Sequence, residues 1–264
     1  MLYITGVEYG DYTMNHVLGC AHGCQYPCYA FMLKRRFGQI ASYEDWLNPY
    51  LVSNTLEILD KEIPALRSKI KSVQLCFTTD PFMYGYEEIE LMTLAAIKKL
   101  NAAGIKCTVL TKGLLPIELA SYSKHNEYGI TLVSLDEEYR ERIEPGAASY
   151  QVRLAALKAL HDQGCQTWVS IEPYPTPNLI EQDLSATLDA IGFANKIIFG
   201  RTNYSKEVTA YKEHRSFYNE KARHVIEFCQ KQKIQFHIKN GTIDRQTKKS
   251  SACPKPSQNI LMHR

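Results

Sequence analysis

The chain has 264 residues, 45% of them hydrophobic and 22% charged, and a formal net charge of +3. These values are typical of a globular protein with one large domain and a sizeable core, and they exclude a disordered or fibrous chain. No stretch approaches the roughly 18 apolar residues that a membrane-spanning helix needs, and the first residues lack a signal-peptide pattern. We therefore expect a cytoplasmic protein that does not enter a membrane.

Three of the eight cysteines lie close together near the start of the chain. Cys20, Cys24 and Cys28 are spaced four residues apart, after a short strand-like segment. They cannot all pair as disulfides, and three soft thiolates on one loop suit a metal centre. Two kinds of site remain open: a zinc site that borrows a distant ligand, and an iron–sulfur cluster with one open iron. His22 is a candidate zinc ligand, but we interpret it as a loop residue.

The other five cysteines do not indicate a disulfide scaffold in a chain of this size. Cys76, Cys107, Cys165 and Cys229 lie in or beside apolar strand and helix patterns, so we interpret them as small buried hydrophobic residues. Cys253 lies in a polar segment and is assigned no role.

Beyond the cysteine loop, helical and strand-like patterns alternate with short connections. Helices are predicted over residues 29–37, 51–59, 87–103, 117–124, 150–163, 179–191 and 220–233. Strands are predicted over residues 72–79, 106–111, 129–136, 167–172, 196–200 and 234–238. Six or seven such alternations predict a parallel βα architecture, either a barrel or an open doubly wound sheet. The glycine-rich phosphate-binding motifs are missing, so the nucleotide-binding versions of this architecture lose support.

The last quarter of the chain is basic. From Arg201 onward there are 14 Lys and Arg against 5 Asp and Glu. This excess is typical of a surface for an anionic partner such as a nucleic acid, although solvated helix faces explain it equally well. From residue 242 the sequence is polar, so we predict a folded domain over residues 1–241 and a flexible basic tail over residues 242–264.

Polar side chains recur where the predicted strands end. These residues are Asp80, Lys112, Ser134 with Asp136, Glu172 and Arg201. In a βα barrel the carboxyl ends of the strands form the rim on which active sites are built. The sequence therefore predicts one site at that rim, beside the cysteine loop.

Together these features resemble the radical S-adenosylmethionine (SAM) superfamily, and within it the spore photoproduct lyase-like branch. The usual superfamily motif is C-x3-C-x2-C with an aromatic residue before the last cysteine; here Tyr26 is followed by an inserted Pro27. The segments T-T-D-P-F from Thr78, T-K from Thr111 and R-I-E-P-G from Arg142 resemble the branch in order. The resemblance runs from about residue 15 to residue 201, and it implies an α/β, single-domain partial (β/α)6-type TIM barrel.

This resemblance implies an enzyme that cleaves SAM reductively at a [4Fe-4S] cluster, giving a 5′-deoxyadenosyl radical that abstracts hydrogen. It implies that Cys20, Cys24 and Cys28 bind three of the irons, while SAM occupies the fourth. A reductant of the flavodoxin or ferredoxin type is then expected. The reaction itself, a lyase or modifying activity, stays open.

The same resemblance assigns the contacts to SAM. Thr79 and Asp80 match the positions that hold its amino group, and Lys112 and Ser134 match those that hold its carboxylate. Tyr26 is expected near the adenine. Glu172 is expected to bind ribose or substrate, or to form an ordinary ion pair.

Three alternatives remain for the partner of this site. A nucleic acid or nucleotide substrate is favoured by the branch resemblance and the basic C-terminal quarter. Radical modification of a peptide or protein is the second reading, and a partner protein for substrate recognition is compatible with both. The third is a non-catalytic zinc-binding interaction protein that uses the three cysteines and His22.

Two features of the sequence depart from the branch pattern. The inserted Pro27 changes the reach of the cysteine loop. The branch also places a hydrogen-donor cysteine three residues before the aspartate, where this chain has Phe77. Cys76 is one position away and, in a continuous strand, would point to the opposite face.

Overall fold

The computed structural model of the chain describes residues 1–8 and 10–244. Most of the predicted tail, residues 242–264, lies outside these ranges, and so does Cys253. The described ranges contain no helix long and apolar enough to cross a membrane.

Ten strands and nine α-helices follow one another along the described residues. The strands are β1 (Leu2–Ile4), β2 (Tyr12–Met14), β3 (Val17–Leu18), β4 (Tyr50–Leu51), β5 (Ser72–Leu75), β6 (Lys106–Thr111), β7 (Glu127–Thr131), β8 (Gln166–Tyr174), β9 (Lys196–Arg201) and β10 (Gln235–Ile238). The helices are α1 (Tyr29–Arg36), α2 (Tyr43–Trp46), α3 (Thr55–Leu66), α4 (Glu87–Ala102), α5 (Glu137–Ile143), α6 (Tyr150–Asp162), α7 (Leu184–Ile191), α8 (Lys206–Ala210) and α9 (His214–Gln232). A 3₁₀ helix spans Ile117–Ser121.

The main sheet has eight strands in the order β1-β2-β5-β6-β7-β8-β9-β10. Strand β1 is antiparallel to β2, and every later neighbour pair in the sheet is parallel. A doubly wound sheet reverses its strand order at a switch point, but here the order follows the chain from end to end. This topology confirms the predicted α/β partial barrel and sets aside the doubly wound alternative.

The parallel strands are covered on both faces, which explains their rich content of branched apolar residues. Val73, Val109, Ile130, Val169 and Ile197 have no exposed surface. Because consecutive parallel strands all point the same way, their carboxyl ends meet along one rim. The loops on that rim carry the predicted site residues.

Glu8 links the two ends of the sheet. It lies in the connection between β1 and β2, and its carboxylate accepts a hydrogen bond from His237 Nε2 of β10 at 2.8 Å. The backbone N–H of Asn240 donates to the same carboxylate at 3.1 Å. Contacts from this one side chain therefore bring the first and last parts of the barrel together.

Several element boundaries differ from the sequence-based expectations. The segment predicted as a helix over residues 117–124 is the 3₁₀ helix Ile117–Ser121. The helix predicted from residue 179 begins only at Leu184, because the Asp183 carboxylate accepts the Ser185 N–H at 2.8 Å and caps it there. The last helix begins at His214, six residues before its predicted start, and the short helices α2, α5 and α8 were not predicted.

Candidate functional site

The loop that carries the three cysteines runs from β3 to α1 and is fixed by backbone hydrogen bonds. The Cys20 N–H donates to the Trp46 carbonyl oxygen at 2.8 Å, and the Gln25 N–H donates to that of Ile143 at 2.9 Å. The Tyr43 hydroxyl donates to the Cys24 carbonyl oxygen at 2.7 Å. The loop is thus attached to α2 on one side and to the end of α5 on the other.

The segment Glu144-Pro145-Gly146 packs directly on this loop. The Gly146 N–H donates to the His22 carbonyl oxygen at 3.0 Å. A Cβ atom at Gly146 would lie 2.1 Å from the carbonyl oxygen of Ala21, so only glycine permits the approach. Gly23 faces Pro145 and has a φ of +66°, which also favours glycine.

The three cysteines line one cavity of about 160 Å³ at the rim, together with Asp80 and Lys112. Burial raises the pKa of all three thiols; for Cys28, burial and the neighbouring Cys24 raise it to about 11. Cysteine thiolates are the usual ligands of iron–sulfur clusters, and the metal itself secures their deprotonation. The donor set therefore fits the predicted cluster.

A mononuclear zinc site needs three or four side chains gathered around one ion. Within residues 1–8 and 10–244, no three His, Cys, Asp or Glu side chains are grouped so that they could hold one metal ion. A cluster makes no such demand, because each thiolate binds a different iron. His22, the proposed fourth zinc ligand, is buried and its Nε2 is hydrogen-bonded to Asp80 at 2.8 Å.

The inserted Pro27 does not remove Cys28 from the site. Pro27 lies just before Cys28, which is the N-cap residue of α1 with an extended backbone. The Cys28 carbonyl oxygen accepts the first helical hydrogen bond, from the Met32 N–H at 3.0 Å. The extra residue between Cys24 and Cys28 therefore lies in the loop before the helix begins, and Cys28 lines the same cavity as Cys20 and Cys24.

Asp80 joins the cysteine loop to the ends of β5 and β6. Its Oδ2 accepts hydrogen bonds from His22 Nε2 and from the Lys112 N–H, each at 2.8 Å. Its Oδ1 accepts from the Thr111 hydroxyl at 2.7 Å and from the Phe82 N–H at 2.8 Å. Burial raises the pKa of this carboxyl, but His22 and these donors lower it more, so the net shift is downward. All four acceptor positions are used within the chain.

Lys112 and Glu144 form the charged centre of the site. The Lys112 ammonium lies 2.9 Å from Glu144 Oε1, 3.5 Å from Cys24 Sγ and 4.6 Å from the centre of the Tyr26 ring. Glu144 is fully buried, and its other oxygen is 2.9 Å from Nη2 of the fully buried Arg153. The Tyr26 hydroxyl donates to Glu144 Oε1 at 3.1 Å. The sequence marked Lys112 and Tyr26 but gave Glu144 no role.

The remaining predicted residues differ in their position relative to the small cavity. Thr79 lines the small cavity, and its hydroxyl donates to the Gly19 carbonyl oxygen. Ser134 is fully buried in a turn, where its oxygen accepts the Asp136 N–H at 3.0 Å, and it does not line this cavity. Glu172 stands further along the rim, 3.9 Å from Lys239 Nζ.

A larger cavity of about 600 Å³ adjoins the small one. The two share Cys28, Phe77 and Lys112 among their lining residues. Glu172 lines the larger cavity only. Burial raises the pKa of its carboxyl, although the charge of Lys239 acts in the opposite direction. The larger cavity therefore provides space for a molecule much larger than the small cavity holds, in contact with Cys28.

Cys76 is a residue of this site whose position the sequence did not predict. Strand β5 ends at Leu75, and Cys76 has a φ of 51°, so the alternation expected of a strand does not reach it. It is buried, as predicted, but it lines the small cavity, and its sulfur is 3.3 Å from His16 Nδ1. His16 Nε2 lies 2.8 Å from the Thr93 hydroxyl, so the imidazole links the thiol to α4.

Comparison with known proteins agrees with these observations. A family model described as the radical SAM superfamily matches residues 14–191. An uncharacterized protein of Acidianus two-tailed virus is 25% identical over 196 residues, which is 70% of this chain and 64% of the relative. The match thus spans less than two thirds of that relative's length.

Solved structures show the same fold at low sequence identity. Spore photoproduct lyase complexed with a dinucleoside spore photoproduct aligns with a TM-score of 0.62 and 15% identity, covering 90% of this chain and 78% of that one. SuiB of Streptococcus suis bound to S-adenosylmethionine aligns with a TM-score of 0.55 and 11% identity, covering 86% of this chain and 47% of that one.

Proposed function

Because the chain belongs to the radical SAM superfamily, we propose that it binds a [4Fe-4S] cluster through Cys20, Cys24 and Cys28 and binds SAM beside it. When bound, these groups supply reductive cleavage of SAM to a 5′-deoxyadenosyl radical that abstracts hydrogen from a substrate. The observation that carries the proposal is the meeting of three half-buried cysteines in one small cavity that adjoins a larger one.

In this proposal Lys112 binds the SAM carboxylate. Its ammonium group lies at the junction of the two cavities, next to Cys24. Glu144 holds it there, so an incoming carboxylate would share the ammonium with Glu144. The assignment of Tyr26 to the adenine is supported by its ring, which lines the larger cavity and faces the same ammonium.

Asp80 and Thr79 remain the proposed neighbours of the SAM amino group. The Asp80 carboxylate already accepts four hydrogen bonds from the chain, so an ammonium there would be held mainly by its negative charge. Ser134 and Glu172 are proposed contacts on the resemblance alone. Phe77 and Leu110 line both cavities and would exclude water between the two bound groups.

Anaerobic reconstitution tests this proposal. Protein reconstituted with iron and sulfide should contain the iron and sulfide of a four-iron cluster and form 5′-deoxyadenosine from SAM with dithionite. The readouts are metal analysis, the visible spectrum and chromatography of the nucleoside. Stoichiometric zinc without sulfide would overturn the proposal and favour the zinc-binding interaction protein. A protein that assembles the cluster but never cleaves SAM would still belong to the family, but the proposed activity would be wrong.

We further propose a nucleic acid or nucleotide as the substrate. Cationic Arg201 and Lys239 and the exposed rings of Tyr29 and Tyr204 all line the larger cavity. Cations that contact phosphates and rings that stack on bases are the usual elements of single-strand binding. A similar structure was solved with a dinucleoside bound. A peptide or protein substrate, presented with or without a partner protein, is the alternative.

Salt-dependent binding of a short single-stranded oligonucleotide tests this choice. Replacing Arg201 and Lys239 with glutamine should weaken binding and reduce the slope of log affinity against log salt by about 1.4 if both contact phosphates of the single strand. Replacing Lys69 and Lys71, exposed lysines at the opposite ends of the strands, should leave both quantities unchanged. If the wild-type protein shows no binding at low salt, or if the two double variants behave alike, a nucleic acid is not the substrate.

A further inference from the structure

The helix that begins at the third cysteine ends in a group of three cations. Helix α1 carries Lys34, Arg35 and Arg36 in its last turn, and Phe37 follows as its C-cap. Both arginines are exposed, and 67% of the Phe37 surface is open to solvent. Among the described residues, none of the three cations forms an ion pair. We name these four residues the α1 tip.

The α1 tip is held at a fixed and short distance from the cysteine loop. An α-helix rises about 1.5 Å per residue, so the tip lies roughly 9 to 14 Å from Cys28 along the helix axis. Phe31 in the middle of α1 packs against Tyr43 and Trp46, with ring centres 5.1 and 6.1 Å apart. The Trp46 carbonyl oxygen in turn accepts the Cys20 N–H. The tip is therefore attached to the cluster ligands at both ends of the loop.

Cations in the last turn of a helix are favoured by the helix dipole, and this accounts for part of the pattern. It does not account for an exposed phenylalanine beside them. An aromatic side chain flanked by unpaired cations is typical of a surface that binds another protein. The charge of such a surface selects an acidic partner and speeds its approach.

We propose that the α1 tip is the docking surface for an acidic one-electron carrier protein that reduces the cluster. This inference rests on the proposed function, because it supposes a cluster held by the three cysteines. Electron transfer between proteins falls steeply with distance, so the carrier must dock close to the cluster. The α1 tip offers cations at that distance without covering the cavity of about 600 Å³ that would admit the substrate.

A nucleic acid is the other polyanion that such cations could attract. The position of the tip argues against it: the cations that line the substrate cavity are Lys112, Arg201 and Lys239, from other elements of the barrel. None of the four α1 tip residues lines that cavity. We therefore assign the α1 tip to the electron carrier and not to the substrate.

The test measures how fast the reconstituted cluster is reduced by an acidic flavodoxin in its hydroquinone form, followed by stopped-flow absorbance. The triple variant Lys34→Gln, Arg35→Gln, Arg36→Gln should lower the second-order rate at low ionic strength by about tenfold or more, because steering by charge contributes at least that much. Reduction by dithionite, a small reagent that needs no docking surface, should proceed as in the wild type. Added salt should slow the wild type and leave the variant nearly unchanged.

The chain provides a charge-matched control. Arg67, Lys69 and Lys71 are three exposed cations within five positions, and they lie between α3 and the start of β5, at the far ends of the strands. Their replacement with glutamine should leave the rate of reduction by flavodoxin unchanged.

Equal rates of reduction for the wild type and the α1 variant would overturn the docking proposal, and so would an equal loss of rate in the α1 variant and the control variant. Loss of oligonucleotide binding with an unchanged flavodoxin rate would assign the α1 tip to a nucleic acid. Failure of the wild type to assemble a cluster would instead overturn the proposed function.

Discussion

Replacing Cys24 with serine should prevent the protein from assembling the proposed cluster on reconstitution. Cys24 is one of only three thiols that the loop offers, and Lys112 lies 3.5 Å from its sulfur. Loss of an outer partner of a metal ligand typically lowers affinity or activity by about 10- to 100-fold, and loss of the ligand itself should exceed that. We expect iron, sulfide and visible absorbance to fall to background, together with 5′-deoxyadenosine formation. Cys20→Ser and Cys28→Ser should behave alike.

Cys165→Ala is the matched control for these variants. Cys165 is buried just before β8 and lines neither cavity of the site. Its replacement should leave the cluster intact. A Cys24→Ser protein that still held a full complement of iron and sulfide, while Cys165→Ala lost it, would show that the cluster ligands have been assigned to the wrong cysteines.

Replacing Glu144 with glutamine should strongly lower the free energy of unfolding. Its carboxylate is fully buried between Lys112, whose side chain is 16% exposed, and the fully buried Arg153. Breaking a buried ion pair by removing one partner costs about 3 to 5 kcal/mol, because a charge is left uncompensated in a poorly polarisable interior. We expect a decrease of that size in the free energy of unfolding, measured by urea titration. Exposed Glu88 is the control, since Glu88→Gln should change it by less than about 0.5 kcal/mol.

The same carboxylate should make stability depend on pH. Burial raises the pKa of Glu144, but Lys112 and Arg153 lower it more, to about 2. An unfolded glutamate has a pKa of about 4.3. Because the folded value is the lower one, the contribution of Glu144 is complete above the unfolded value and is lost as the pH falls toward 2. The wild type should lose more stability than Glu144→Gln between about pH 6 and pH 3; parallel losses would contradict the assigned ion pairs.

Much of the barrel could be predicted because local patterns determine it. Strand β6 occupies the predicted residues, and α4 and α6 each end one residue before the predicted position. Apolar periodicity and the caps at Gly104 and Gly164 are local signals that do not depend on distant contacts. The short helices were missed because one or two turns carry too few apolar positions to show a period.

The strand-end rule anticipates part of the set of residues that line the cysteine cavity. Lys112 follows β6 at once and reaches the cysteine cavity as expected. Ser134 was expected at the end of a strand, but β7 ends at Thr131, so Ser134 lies in the following turn. Glu144 could not be recognised, because its partners come from β6 and α6 and nothing beside it in the sequence marks the pairing. Cys76 was placed on the wrong face because β5 stops one residue before it.

The two adjoining cavities draw on different parts of the chain. All residues that line the smaller one fall between Cys20 and Thr131, whereas the larger one also takes in Tyr3–Glu8 and positions from Ser170 to Asn240. The smaller cavity thus draws on one stretch of the sequence, whereas the wall of the larger cavity combines segments that lie far apart along the chain. Substitutions in those distant segments can therefore change the larger cavity while every residue that lines the smaller one stays the same.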